Sequence, residues 1–157
     1  MITTEPHSYS HGNVKFEGIV VRDTSLSGAR PGVLLAHAFF GLGEAEIANA
    51  RRLASLGYVV FACDYYGKSA RPTTPEEAFS QMGALDDNRV ELSERMQESL
   101  AQLKGMNFVD SGKIAAIGFC FGGKAVLDLS RTGADLASVI SVHGVYDAPS
   151  SDNLKKK

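Results

Sequence analysis

Long apolar runs are absent from this chain of 157 residues. No stretch reaches the ~18 to 20 apolar residues that a membrane-spanning helix requires, so a membrane span is not expected. The opening residues, 1–12, are polar and lack the charged-then-apolar order of a secretory signal. Excess charge is also missing, with a formal net charge of −2. Without a basic face to neutralise phosphates, the chain is not expected to bind nucleic acid. Its one basic cluster, Lys155, Lys156 and Lys157, reads as a solvated tail. Cysteine is scarce. Cys63 and Cys120 are too few for a disulfide framework and lack metal-ligand spacing. Both sit in or beside apolar strand-like runs, which suits a reducing compartment, so a cytoplasmic location is the expectation. No repeat, low-complexity tract or linker divides the chain, whose length suits one core. Residues 1–157 are therefore expected to form a single domain, partial and incomplete at its C-terminal end.

What is present alternates between strand and helix. Residues 14–21 alternate apolar and polar at first, as an edge or half-covered strand would. Val33, Leu34, Leu35 and Ala36 form a short buried strand, and residues 58–62 form the next. Between them Ile47, Ala50 and Ala54 recur at helical spacing until Gly57 ends the helix. A polar loop with Pro72 and Pro75 leads to one long helix over about 86–104, with Asp86 and Asp87 at its start. Leu85, Leu92, Met96, Leu100 and Leu103 make its apolar stripe. Strands at 113–117 and 138–142 flank a further helix containing Ala125, Val126 and Leu129. Buried strands alternating with amphipathic helices specify an α/β fold with a doubly wound, mostly parallel sheet. The sequence stops after the last strand with no helix to cover it, so that strand is expected to be left as an exposed edge. Self-association through this edge is an expectation of the reading. His7 and His11 fall in the polar opening segment and read as tail.

The segment Gly118-Phe119-Cys120-Phe121-Gly122-Gly123-Lys124 carries the chemistry. A strand runs directly into a helix, with a nucleophilic side chain flanked two positions away on each side by glycine. Such a turn strains the central residue and needs small neighbours where strand and helix backbones approach. It projects the nucleophile into the crevice beyond the strand ends, where open α/β sheets bind ligands. A helix N-terminus there favours thiolate over thiol, and the N–H of Phe121 is placed to donate to an oxyanion. Cys63 has no such setting and reads as core. The same segment also matches most of the phosphate-cradling G-x-x-x-x-G-K-[ST] loop. Ala125 stands where that loop needs a hydroxyl, and the next strand ends in His143 rather than an aspartate. The nucleotide-binding reading is therefore set aside.

With the elbow in place, the chain resembles the dienelactone hydrolase family of α/β-hydrolases. The resemblance rests on residues 118–123, on Leu35-Ala36-His37-Ala38-Phe39-Phe40-Gly41, and on Gly57-Tyr58-Val59-Val60 leading to Asp64-Tyr65-Tyr66-Gly67. It implies that the Cys120 thiolate attacks an ester or lactone carbonyl, forming an acyl-enzyme that water resolves, with no metal or organic cofactor. It places the oxyanion hole at the backbone N–H groups of Phe121 and Phe39, and makes Phe39 and Phe40 pocket wall. Where family members carry a glutamate that pairs with the cysteine, the matching position is Ala38. A broader carboxylester or lactone hydrolase is therefore expected rather than a dienelactone specialist. The family's aspartate and histidine follow later strands, in the order nucleophile, acid, base, and are expected beyond Lys157. Inside the chain, His37 and His143 lie at strand ends on the catalytic side and are candidate pocket residues or substitute bases, and Asp147 could orient a histidine. The alternative is a non-catalytic fragment or degenerate paralogue that binds a small molecule or partner.

Overall fold

The computed structural model describes residues 1–150; the terminal lysines lie outside the described residues. The strands are β1 (Ile2–His11), β2 (Val14–Asp23), β3 (Arg30–Ala36), β4 (Val59–Cys63), β5 (Val109–Phe119) and β6 (Ser138–Val142). The helices are α1 (Glu44–Ser55), α2 (Pro75–Asp86), α3 (Arg89–Lys104) and α4 (Phe121–Arg131). One sheet contains the six strands in the order β1-β2-β4-β3-β5-β6. From β4 to β6 every pairing is parallel, while β1 with β2 and β2 with β4 run antiparallel. This is the mostly parallel, doubly wound sheet expected from the sequence.

β3 lies between β4 and β5, with Leu34 opposite both Phe61 and Ala116. Leu34 and Leu35 point to opposite faces, as strand geometry requires, and both are fully buried. Leu34 joins the side chains of α3 and α4, whereas Leu35 packs with Ala50 and Ala54 of α1. Burial of each such side chain stabilises the fold by roughly 1.5–3 kcal/mol.

The structure corrects the sequence reading at both ends of the polar segments. Residues 2–11 are not a tail: they form β1, paired with β2 along its length, and β2 is interior rather than an edge. The run carries no apolar alternation, and only Tyr9 is buried. Tyr9 stacks on Phe16 at 5.1 Å between ring centroids, and His7 meets the Phe61 ring edge-on at 5.4 Å. His7 Nε2 also lies 2.9 Å from Gln102 Oε1.

The expected helix over 86–104 is two helices. Thr74 caps α2 by accepting the Glu77 N–H at 3.2 Å, with Pro75 at the first helical position. Asn88 caps α3 in the same manner through the Glu91 N–H at 3.1 Å. Asp86 therefore ends one helix instead of starting another, and Leu85 belongs to α2. Among the described residues, no helix is long and apolar enough to cross a membrane. As expected, β6 lies at the sheet's end. Ile140 is 46% exposed there, beside the exposed Val145 and Tyr146.

Candidate active site

Cys120 lies where β5 passes without a loop into α4. Its φ of 54° and ψ of −118° are a strained combination for a non-glycine residue. The neighbouring backbones explain the glycines. A Cβ on Gly118 would strike the Gly122 carbonyl, and one on Gly122 would strike the carbonyls of Ala36 and His37. The Cys120 N–H donates to the Val142 carbonyl at 3.0 Å, tying the turn to the end of β6. The thiol is free and partly exposed, and makes no capping bond to its own helix. The turn thus presents a sulfur at a helix N-terminus, beside backbone N–H groups that the helix itself leaves unused.

The loop after β3 faces this turn. His37 is fully buried. Its ring stacks on Tyr65 at 3.8 Å, and its Nδ1 lies 2.7 Å from the Ala38 carbonyl. Burial lowers its pKa, against opposing contributions from Ala38 and nearby carboxylates, so the ring is neutral. This packed position explains its place at the strand end. Among the described residues its Nε2 has no hydrogen-bond partner.

Two tyrosines at the end of β4 bond to the same loop. The Tyr65 hydroxyl donates to the His37 carbonyl at 2.6 Å, and the Tyr66 hydroxyl to the Phe39 carbonyl at 2.8 Å. Burial raises the pKa of both, and proximity to Cys120 adds to the rise, so both hydroxyls remain protonated donors. Asp64 shapes this turn by accepting the N–H groups of Tyr66 at 3.1 Å and Gly67 at 3.0 Å. Arg95 donates to the carbonyls of Tyr65 and Tyr66 at 3.0 and 2.9 Å.

Phe39 is half-buried and Phe40 is 45% exposed. Their rings meet edge-on at 5.6 Å, and Phe39 also contacts Phe79 of α2 at 5.1 Å. Phe79 is 58% exposed, which completes an aromatic patch across the loop and α2. Sequence reasoning missed Phe79 because α2 was read as loop. Tyr65 and Tyr66 carry no local signal of a role in the sequence.

His143 follows β6 with a φ of 39° and an exposed side chain. It is one residue beyond the carbonyl that receives the Cys120 N–H. Asp147 is engaged elsewhere: its carboxylate meets Lys124 Nζ at 2.7 Å and Arg89 at 3.2 Å. The Lys124 side chain is 3% exposed and also pairs with Asp86 at 2.5 Å. The lysine that a phosphate loop would offer to a nucleotide is thus buried in ion pairs. Asp147 has a lowered pKa, first through its bond to Lys124. A depressed carboxylate stabilises the fold above its ordinary value of 3.8 and loses that contribution as the pH falls through the folded pKa.

Cys63 is fully buried and donates to the Leu35 carbonyl at 3.4 Å. Burial pushes its pKa from 9.0 up to about 12. A thiol held neutral in the fold contributes stability below pH 9.0, and that contribution is lost as the pH rises towards about 12. Native protein at neutral pH is therefore expected to take one equivalent of iodoacetamide, at Cys120, and a second only on unfolding. Peptide mass mapping checks this, and fast native labelling of Cys63 would contradict the packing.

The dienelactone hydrolase family model matches residues 16–157. Among solved structures, m3DLH superimposes with a TM-score of 0.91 at 31% identity, over 97% of this chain and 63% of its own. P91, a dienelactone hydrolase-like promiscuous phosphotriesterase from metagenomic libraries, gives 0.92 at 34% identity with the same coverage of both chains. An uncharacterised Caenorhabditis elegans protein, K02A2.1, is 41% identical over 59 residues, which is 37% of each chain. The chain thus spans under two thirds of the length of these relatives.

Proposed function

The chain belongs to the dienelactone hydrolase family, and on that premise we propose that it carries the cysteine nucleophile of a hydrolase acting on small carboxylic esters or lactones. The observation that supports this best is Cys120 itself: a free, partly exposed thiol at φ 54°, on a strand-to-helix turn whose glycines admit no side chain. The thiolate sulfur bonds to the substrate carbonyl carbon, and the carbonyl electron pair moves onto oxygen. The N–H groups of Phe121 and Phe39 receive that oxyanion. Collapse expels the alkoxide, which takes up a proton, and leaves a thioester. Water then cleaves the thioester, releasing the acid and restoring the thiol.

The triad aspartate and histidine belong, on this reading, to residues beyond Lys157, following the family order of nucleophile, acid and base. That this chain covers 63% of each of two solved relatives supports the reading. Phe39 and Phe40 form the apolar wall for the substrate. Phosphotriesters are a second substrate class to test, because P91 is a promiscuous phosphotriesterase.

The test is p-nitrophenyl acetate with this chain and its Cys120→Ala variant. The expected result is one burst of p-nitrophenolate stoichiometric with protein, absent in the variant, with no sustained turnover. Sustained turnover lost in Cys120→Ala would support the nucleophile but overturn the placement of the base, and His143→Ala would then be examined. Equal behaviour of both proteins would remove Cys120 from the chemistry and favour a non-catalytic binding domain.

A further inference from the structure

The backbone from His37 to Gly43 leaves β3, passes the elbow and enters α1, and side chains hold it at consecutive peptide groups. Tyr65 donates to the His37 carbonyl at 2.6 Å. The Ala38 N–H donates to Glu46 Oε1 at 3.3 Å. Tyr66 donates to the Phe39 carbonyl at 2.8 Å. The second Glu46 oxygen accepts the Gly43 N–H at 3.1 Å, at the far end of the loop. The Ala38 carbonyl is engaged by the Gly41 N–H at 3.1 Å. Glu46 is only 7% exposed, although it belongs to the first turn of a surface helix.

This is more than a helix cap. A glutamate at the third helical position ordinarily reaches back to one N–H at the helix start. Here one carboxylate joins the helix start to the strand-end loop. Neutral hydroxyls fix the carbonyls on either side of the N–H that it accepts. Among the described residues no backbone carbonyl accepts the Phe39 N–H, while the clamp bonds the N–H and carbonyls around it. Catalytic donors act through preorganisation, because an N–H already aimed need not be reoriented as charge develops. The groups that hold the peptide planes on either side of it therefore matter to the rate without touching the substrate.

We propose that Glu46, Tyr65 and Tyr66 are positioning residues that clamp the 37–39 backbone and set the Phe39 N–H for the oxyanion formed when Cys120 attacks an ester carbonyl. This rests on the reading of Cys120 and Phe39 given above. It explains why two adjacent tyrosines at a parallel strand end both spend their hydroxyls on carbonyls of one neighbouring loop. It also explains why a buried carboxylate is retained at a helix start capped by Gly43, which has no side chain of its own to offer.

Two reactions of the same sulfur separate positioning from general structural damage. Acylation by p-nitrophenyl acetate passes through an oxyanion. Alkylation by iodoacetamide forms a carbon–sulfur bond and expels iodide at a saturated carbon, with no oxyanion. In the 157-residue chain, Glu46→Gln and Tyr66→Phe are each expected to slow Cys120 acylation ~10-fold or more while leaving its alkylation rate unchanged. Unchanged acylation in both variants would overturn the clamp. A parallel loss of acylation and alkylation would also overturn it, by showing that the variants act on the thiol or the fold. Absence of Cys120-dependent acylation in the unsubstituted chain would instead sink the proposed function, and this inference with it.

Discussion

Gly122→Ala is expected to destroy the native elbow and destabilise the fold by more than about 4 kcal/mol, beyond the usual range for a point substitution. An added Cβ would meet the carbonyl oxygens of Ala36 and His37, with the Ala36 carbonyl carbon at 2.8 Å. All three are backbone atoms at the C-terminal end of the central strand, so no side-chain rotation relieves the contact. The start of α4 would have to lift away from β3, and packing around Leu34 and Ala116 resists that. Gly118→Ala should behave alike, because its Cβ would meet backbone atoms of Gly122 and Gly123. Gly83 is the control. It lies inside α2 with nothing within 4 Å of an added Cβ. Gly83→Ala should raise stability by roughly 0.5–1 kcal/mol through helix propensity and a smaller unfolded-state entropy. Thermal or urea unfolding of the three variants reads the contrast. A folded, stable Gly122→Ala protein would mean that the elbow is looser than described.

The second large effect belongs to a buried charge cluster. Arg89 is 3% exposed and grips Asp128 through Nε at 2.5 Å and Nη2 at 2.9 Å. Arg131 joins the same carboxylate at 2.7 Å. Arg89 also donates to the Asp147 carbonyl at 3.1 Å. The cluster therefore ties α3 and α4 to the segment that follows His143. Two buried charges recover their desolvation cost only together, so removing one is expensive. Asp128→Ala is expected to cost about 3–5 kcal/mol, since it leaves the guanidinium buried without its bidentate partner. Replacing both, as Arg89→Met with Asp128→Leu, should cost less than the single change. A double variant as unstable as the sum of its singles would show that the pair is not coupled.

The sequence and the structure agree where a single local pattern carries the information. Residues 33–36, 59–62 and 138–142 are strands in both, and the glycine spacing around Cys120 translates directly into a backbone conformation that few other sequences tolerate. The reading failed where tertiary pairing overrides local pattern. β1 has almost no apolar periodicity and exists because β2 offers a ladder and Phe16 and Phe61 receive its rings. α2 was hidden by Pro72 and Pro75, although Thr74 followed by Pro75 is a helix start.

The site was legible at its nucleophile and obscure in its surroundings. A cysteine between glycines is a short-range signal. The loop clamp draws on Glu46, Tyr65 and Tyr66, whose meeting depends on the β4-β3 pairing. Glu46 also lacks the serine or threonine three residues earlier that would have marked a capping box. Asp147 is a particular lesson. Its place shortly after His143 suggested an orienting carboxylate, yet its oxygens pair with Lys124 and Arg89. Neither cation's position could be inferred from spacing along the chain.

The central claim is that Cys120 is an acylating nucleophile, and trapping the acyl group tests it most directly. The chain is mixed briefly with p-nitrophenyl acetate, quenched in acid and digested, and its peptides are weighed. The account predicts one acetyl group per chain, on the peptide containing Cys120, removable by hydroxylamine as a thioester is, with Cys63 unmodified. An acetyl group found only on lysine amines, or none on the Cys120 peptide, would contradict it.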